Sequence, residues 1–247
     1  MLSPLIQKLE GRFTLSESDR SALRSASCRG RRVRPRTDLA WEGDLSDHVQ
    51  MIRSGFACRY KVLAAGTRSI VAYVIPGDIC DLNVAILGAV DHSIGTIDAC
   101  EVVSIPRQVL DDLTGNHPTL NRALRWASLV DEAIQREWLV NMGRHTAERQ
   151  VAHLLCEFLW RLQAVGLAGR DGYELPLRQS DLGDATGMSS VHVNRTLQKL
   201  RGTGLVRREG RYYSFPDVEA LQAFAQFDPK YLHRSPGGVD DAPLRQH

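Results

Sequence analysis

Between residues 179 and 200 the chain runs Gln179-Ser180-Asp181-Leu182-Gly183-Asp184-Ala185-Thr186-Gly187-Met188-Ser189-Ser190-Val191-His192-Val193-Asn194-Arg195-Thr196-Leu197-Gln198-Lys199-Leu200. The pattern predicts two short helices parted at Gly187. Gly183 puts a small residue where two helices can cross, and Gly187 tolerates the positive φ of a tight turn. Leu182, Met188, Val193, Leu197 and Leu200 are placed to lock the pair onto a third helix. Ser189 is a natural cap for the second helix, whose amide end then favours an anion. Ser190, Val191, Asn194 and Arg195 fall on one side of that helix and the apolar residues on the other. A plain helical packing unit would need neither the crossing glycine nor this division of faces. The segment reads as a helix-turn-helix that presents its second helix to a major groove, where Asn pairs with adenine and Arg with guanine.

Downstream, Leu205 to Tyr213 reads as a β-hairpin with Glu209-Gly210 at its tip, which makes the unit a winged helix-turn-helix. Arg201 and the hairpin arginines add local basic charge for phosphates. The full DNA-contacting set predicted is Gln179, Ser180, Ser189, Ser190, Val191, His192, Asn194, Arg195, Lys199, Arg207, Arg208 and Arg211. Upstream, Thr146 caps a helix carrying Val151, Leu154, Leu155, Phe158, Leu159 and Leu162 on one stripe, ended near Gly166; Tyr173 to Leu177 follows as a short strand. A final amphipathic turn spans Val218 to Phe227.

Before that lies a long helix, from His117-Pro118 to about Met142. One apolar stripe holds Leu120, Leu124, Ala127, Ile134 and Trp138, and is predicted to be the dimerisation seam. A second face carries Trp126, Leu129, Val130, Ala133 and Val140, so that the helix can pack on its own domain and on a partner copy. Asp131 interrupts the first stripe.

The first third has another texture. After short helices to about Arg24, with Ser16 and Asp19 as a capping box, strands are expected over His48–Leu63 (broken at Gly55), Arg68–Ile75 and Ser93–Ile105. Pro76-Gly77-Asp78 is a turn. Short strands with Gly/Pro turns suggest a jelly roll. The fold class predicted is α+β: an effector-type jelly-roll barrel over 1–117, a central helix over 118–144, a winged helix-turn-helix over 145–230 and a mobile tail over 231–247.

At 247 residues two domains are natural, and a net charge of +2 requires any nucleic-acid surface to be local. No signal peptide or membrane-length apolar run is seen, so a cytoplasmic location is expected. Cys28, Cys58, Cys80, Cys100 and Cys156 stand singly, which predicts small buried residues rather than disulfides or a metal cluster. No nucleophile elbow, phosphate loop or His-x-His pair of a metal-holding jelly roll occurs, so no catalytic residue, metal or cofactor is expected.

Taken together, Pro76-Gly77-Asp78, the helix after His117-Pro118, Thr146-Ala147-Glu148-Arg149 and Gly187 to Leu200 resemble the Crp/Fnr family of bacterial transcription regulators, over about residues 10 to 230. The resemblance implies a homodimer on a near-palindromic DNA site, and RNA polymerase as a partner if the protein activates. Arg195 matches the family's base-reading arginine, but Val191 replaces its glutamate, and Arg178 replaces the small residue that opens the first helix. Family members that bind cyclic nucleotides use a glutamate and an Arg-Ser pair. Here Asp81 and His92-Ser93 stand in the matching stretch as candidate effector contacts, with His92 a poor substitute for the phosphate-binding arginine. The effector is therefore unknown and not expected to be cyclic AMP. Open alternatives are a cyclic-nucleotide module, a thiol-redox sensor using the cysteines, and a haem sensor through His48, His92 or His117, any of which could act through protein partners instead of DNA.

Overall fold

The computed structural model describes residues 3–82 and 87–234. Two amphipathic helices, α1 (Pro4–Glu10) and α2 (Glu17–Ala26), open the chain. The predicted capping box is present: Asp19 N–H donates to Ser16 Oγ at 3.1 Å, and Ser16 N–H to Asp19 Oδ2 at 3.0 Å. Among the described residues eight strands follow: β1 (Gly30–Val33), β2 (Asp38–Ala40), β3 (His48–Ser54), β4 (Ala57–Val62), β5 (Arg68–Val74), β6 (Ile79–Cys80), β7 (Ser93–Thr96) and β8 (Cys100–Pro106). They form two four-stranded antiparallel sheets, ordered β1-β8-β3-β6 and β2-β7-β4-β5. The two sheets face each other as in a jelly roll, with Ile52, Val74, Ile94 and Val102 buried between them.

A helix that the sequence reading leaves out, α3 (Arg107–Asn116), leads from β8 into the long helix α4 (Pro118–Arg144). Pro106 at its N-cap makes no side-chain cap, and its buried residues are only Leu110 and Leu113, so little local signal marks it. α4 passes through Gly143 and ends one residue later. Helix α5 (Ala147–Ala164) begins at Thr146, which accepts from Arg149 N–H at 3.5 Å. Strand β9 (Gly172–Glu174) is shorter than expected and joins the hairpin β10 (Arg207–Glu209) and β11 (Tyr212–Ser214) in a three-stranded wing ordered β10-β11-β9. Helices α6 (Gln179–Thr186) and α7 (Ser190–Gly202) lie between, and α8 (Val218–Ala225) follows the wing.

The expectation of a mobile tail from Tyr231 needs correction. A 3₁₀ turn over Pro229–Leu232 buries Leu232, Tyr231 stacks on His153 and bonds Glu157 at 3.1 Å, and Arg234 donates to Trp160 O at 2.6 Å. The remainder of that predicted tail, 235–247, falls outside the described residues.

Barrel and C-terminal unit share one core. Tyr73 on β5 packs on Trp138 of α4 and Phe158 of α5, with ring centroids 5.7 and 5.1 Å away. Beside it runs a buried ion network. Asp78, in the turn after β5, takes Lys8 Nζ at 2.6 Å and Arg161 Nη2 at 2.8 Å; Arg161 Nη1 reaches Glu157 Oε1 at 3.0 Å, and Glu157 Oε2 accepts from Trp138 Nε1 at 2.9 Å. One chain of charges thus ties α1, the barrel turn, α4 and α5 together.

Candidate nucleic-acid interface and effector cavity

The crossing of α6 and α7 has the geometry its glycines predict. A Cβ on Gly183 would meet Met188 O at 2.4 Å, and Gly187 has φ +70°. Leu182, Val193, Leu197 and Leu200 are buried against α5 and the wing. Ser189 Oγ accepts from His192 N–H at 3.2 Å and closes the start of α7. The exposed face of α7 consists of Ser190, Val191, His192, Asn194, Arg195, Gln198 and Lys199, while Val193, Thr196, Leu197 and Leu200 are buried. Gln179 Nε2 donates to Asn194 Oδ1 at 3.1 Å and steadies that amide from the neighbouring helix.

Other members of the predicted set fall around this face. Ser180 is exposed at the start of α6, and Arg207 and Arg211 are exposed on the wing. Arg208 lies over the Tyr213 ring at 5.2 Å and donates to Gly210 O, which shapes the wing tip. Lys199 is held by Glu148 at 2.7 Å, so it is not a free cation. The position of Arg178 is explained by Asp181: with no side-chain cap on Arg178, the Asp181 carboxylate accepts from Arg178 N–H at 2.8 Å.

Asp181 has a second set of partners that the sequence reading missed. Arg36, just before β2, grips it with two bonds of 2.5 and 2.7 Å, and Arg68 of β5 reaches it at 2.8 Å and Asp184 at 2.8 Å. Burial would raise this carboxyl, but the Arg36 and Arg68 bonds and the Arg178 N–H hold it below its ordinary value. Tyr73 Oη adds a bond to Asp181 O at 2.8 Å. The first helix of the pair is thus moored to the barrel.

The expected dimerisation stripe is placed inward. Leu120, Leu124, Ala127, Ile134 and Trp138 are 8 % exposed or less, covered by α1, α3, β-barrel residues and α5. The exposed apolar side chains of α4 are instead Leu129, Leu139, Val140 and Met142. Arg125, Leu129, Glu132, Arg136, Leu139 and Gly143 succeed one another at alternating steps of four and three along the exposed side, the spacing of a coiled-coil seam. Of the second apolar face expected from the sequence, Val130 and Ala133 are buried as well and Trp126 is half-buried, which leaves Leu129 and Val140 exposed.

Between the barrel and α4 lies a cavity of about 500 Å³. Asp81 and His92 line it, but Ser93 does not: it is buried and its hydroxyl accepts from Glu42 N–H at 3.1 Å. The cavity also holds Arg59 of β4, a buried cation that the sequence does not single out. It sits 3.4 Å from Asp81 and 3.2 Å from Asp131. Asp131 therefore interrupts the apolar stripe of α4 because it pairs with Arg59. Burial opposes the Arg59 charge, but both carboxylates more than restore it. Burial likewise opposes charge on His92, yet Asp81, 3.1 Å away, and Asp91 raise its pKa. Asp91 and Glu132 also line the cavity, so its carboxylates outnumber its cations even with Lys61 counted, and Lys61 is held by Glu42 at 2.9 Å.

Cys58, Cys80, Cys100 and Cys156 are buried, as expected; Cys28 is exposed. Burial pushes the Cys58 and Cys100 thiols up to about 12, and those of Cys80 and Cys156 upward as well. None of these four is a reactive thiolate at neutral pH. No helix among the described residues is long and apolar enough to cross a membrane.

A jelly roll, a long connecting helix and a winged helix-turn-helix with an exposed polar recognition face define a DNA-binding transcription regulator. Two family models match in tandem: a cyclic nucleotide-binding domain over residues 30–117 and a Crp-like helix-turn-helix domain over 149–224. Similar curated proteins include an anaerobic regulatory protein of Pasteurella multocida, 25% identical over 85% of this chain and 76% of that protein. Regulatory protein HlyX of Actinobacillus pleuropneumoniae is 26% identical over 85% of this chain and 87% of its own length. Among solved structures, FixK2 from Bradyrhizobium japonicum superposes with a TM-score of 0.71 at 24% identity, over 79% of this chain and 96% of that one. The chain belongs to the Crp/Fnr family of transcription regulators.

Proposed function

We propose that this regulator acts in the cytoplasm as a homodimer, without catalytic activity, and reads a near-palindromic operator with one α7 helix per half-site. The observation that carries the reading is the exposed, capped face of α7 with Asn194 and Arg195 side by side. Arg195 is assigned to a guanine and Asn194 to a neighbouring adenine, Val191 to a thymine methyl, and the wing arginines Arg207, Arg208 and Arg211 to phosphates. Where the protein activates, RNA polymerase is its partner. Selection from a randomised-site library is the test. Arg195→Ala should lose preference at one base per half-site, at about 1–3 kcal/mol per contact, and Asn194→Ala should lose it at an adjacent base. Unchanged preference in both variants would remove α7 from the groove.

The cavity is assigned to an effector that is not a cyclic nucleotide. A phosphodiester needs a cation whose charge is not already balanced; Arg59 keeps its Nε unbonded but already faces two carboxylates, while Asp91 and Glu132 add repulsion. Calorimetric titration with cyclic AMP is expected to give no saturable heat at micromolar concentration. A one-per-subunit isotherm would restore the nucleotide reading. The raised thiol pKa values favour neither Cys58 nor Cys100 as a redox trigger.

A further inference from the structure

Residues 29–36 read Arg29-Gly30-Arg31-Arg32-Val33-Arg34-Pro35-Arg36, five arginines with no acid, in a chain whose net charge is only +2. All five are exposed, and only Val33 enters the core. The segment is fixed in place. β1 pairs with β8 at the edge of its sheet, Thr96 Oγ1 donates to Arg34 O at 2.7 Å, and Arg36 N–H donates to Thr96 O at 3.0 Å. Arg29, Arg31, Arg32 and Arg34 have no ion pair among the described residues; Glu101, across the ladder from Arg32, is already engaged by Arg53 at 2.7 Å. Four of the strip's five arginines therefore carry charge that no neighbour among the described residues neutralises, while Arg36 is paired with Asp181. An edge strand needs a charge or two to deter strand pairing; an unpaired run of arginines, each with a planar fork that fits a phosphate, exceeds that need.

The strip is also continuous with the helix-turn-helix. Its last member, Arg36, holds Asp181 of α6. Asp98, in the turn before β8, feels the charges of both Arg36 and wing-tip Arg211, so barrel and wing are neighbours there. We propose that the arginine strip of β1 is a second phosphate-contacting surface of the barrel, engaging the backbone of duplex DNA that flanks the operator. The proposal rests on the reading that α7 enters the operator.

The test compares the wild type with an Arg31→Gln/Arg32→Gln/Arg34→Gln variant on two duplexes, one trimmed to the operator and one extended by about two helical turns (~20 bp) on each side. On the extended duplex the variant should bind on the order of tenfold more weakly at about 0.1 M salt, with a salt slope shallower by about 0.9 per lost phosphate contact. On the trimmed duplex it should match the wild type. A lysine triple variant should keep most of the extended-duplex affinity, which shows that charge rather than folding is read. Wild-type affinity and slope for the glutamine variant on the extended duplex would make the strip an edge guard only and overturn the proposal. Equal losses on both duplexes would also overturn it, since the contact would not then be to flanking DNA. Failure of the underlying reading is distinguishable, because the wild type would then show no operator preference on the trimmed duplex.

Discussion

Asp78→Asn is expected to destabilise the protein by about 3–5 kcal/mol, a large part of the ~5–15 kcal/mol that holds a folded domain. Asp78 is 3 % exposed and is shared by Lys8 and Arg161, both nearly buried. Its carboxylate also accepts from Ile75 N–H at 2.9 Å. An amide keeps the shape but removes the countercharge, and Arg161 then depends on Glu157 alone while Lys8 has none. Because the network joins barrel to α5, the loss should appear as one lowered urea midpoint with an unchanged slope. A control at the exposed Arg107–Asp111 pair, 3.7 Å apart on α3, should change stability by no more than about 0.5 kcal/mol. If Asp78→Asn stayed within about 1 kcal/mol of the wild type, the network would be ornamental.

The same site sets an acid response. Burial raises the Asp78 carboxyl, but Lys8 and Arg161 outweigh burial and bring it down to about 2 from an ordinary 3.8. A folded-state value below the unfolded one means stability that is complete above pH ~4 and is lost as pH falls from there toward ~2, by about 2–3 kcal/mol. Glu157 acts with the opposite sign: burial raises it, so its ionised form costs stability near neutrality. Stability of the wild type should therefore fall below pH 4 more steeply than that of Asp78→Asn.

What the sequence made legible was local. Gly183, Gly187, Ser189 and the apolar spacing around them determine the helix-turn-helix within about twenty residues, and the strands were marked by Pro76-Gly77-Asp78 and by alternation. What it hid was tertiary. Arg59 stands inconspicuously between Cys58 and Tyr60, and one of its partners, Asp131, lies 72 residues downstream. The Arg36–Asp181 clamp spans 145 residues, and nothing near Arg36 announces it. α3 was missed because it carries few apolar residues and no side-chain cap. The predicted seam of α4 packs on its own chain for another reason: hydrophobicity alone cannot tell residues that cover their own barrel, as Leu120 to Trp138 do, from residues such as Leu129 and Leu139 that the single chain leaves exposed.

That difference yields the second large effect. A Leu129→Glu/Leu139→Glu variant is expected to be monomeric at micromolar concentration by sedimentation, with its urea midpoint nearly unchanged. Leu129 and Leu139 are 57% and 68% exposed in the single chain, so a charge there costs the isolated fold little. In a paired seam at coiled-coil spacing the same charges would be buried without partners and would repel across the two-fold axis. Operator affinity should fall at least ~100-fold, because binding of the second half-site ceases to be intramolecular. Ile134→Glu should behave differently. Its side chain is 5% exposed among Tyr73, Trp138 and Phe158, so the expected result is loss of folding rather than clean dissociation. A Leu129→Glu/Leu139→Glu protein that stayed dimeric with wild-type operator affinity would move the interface off α4. A well-folded monomer produced by Ile134→Glu would return it to the inward stripe.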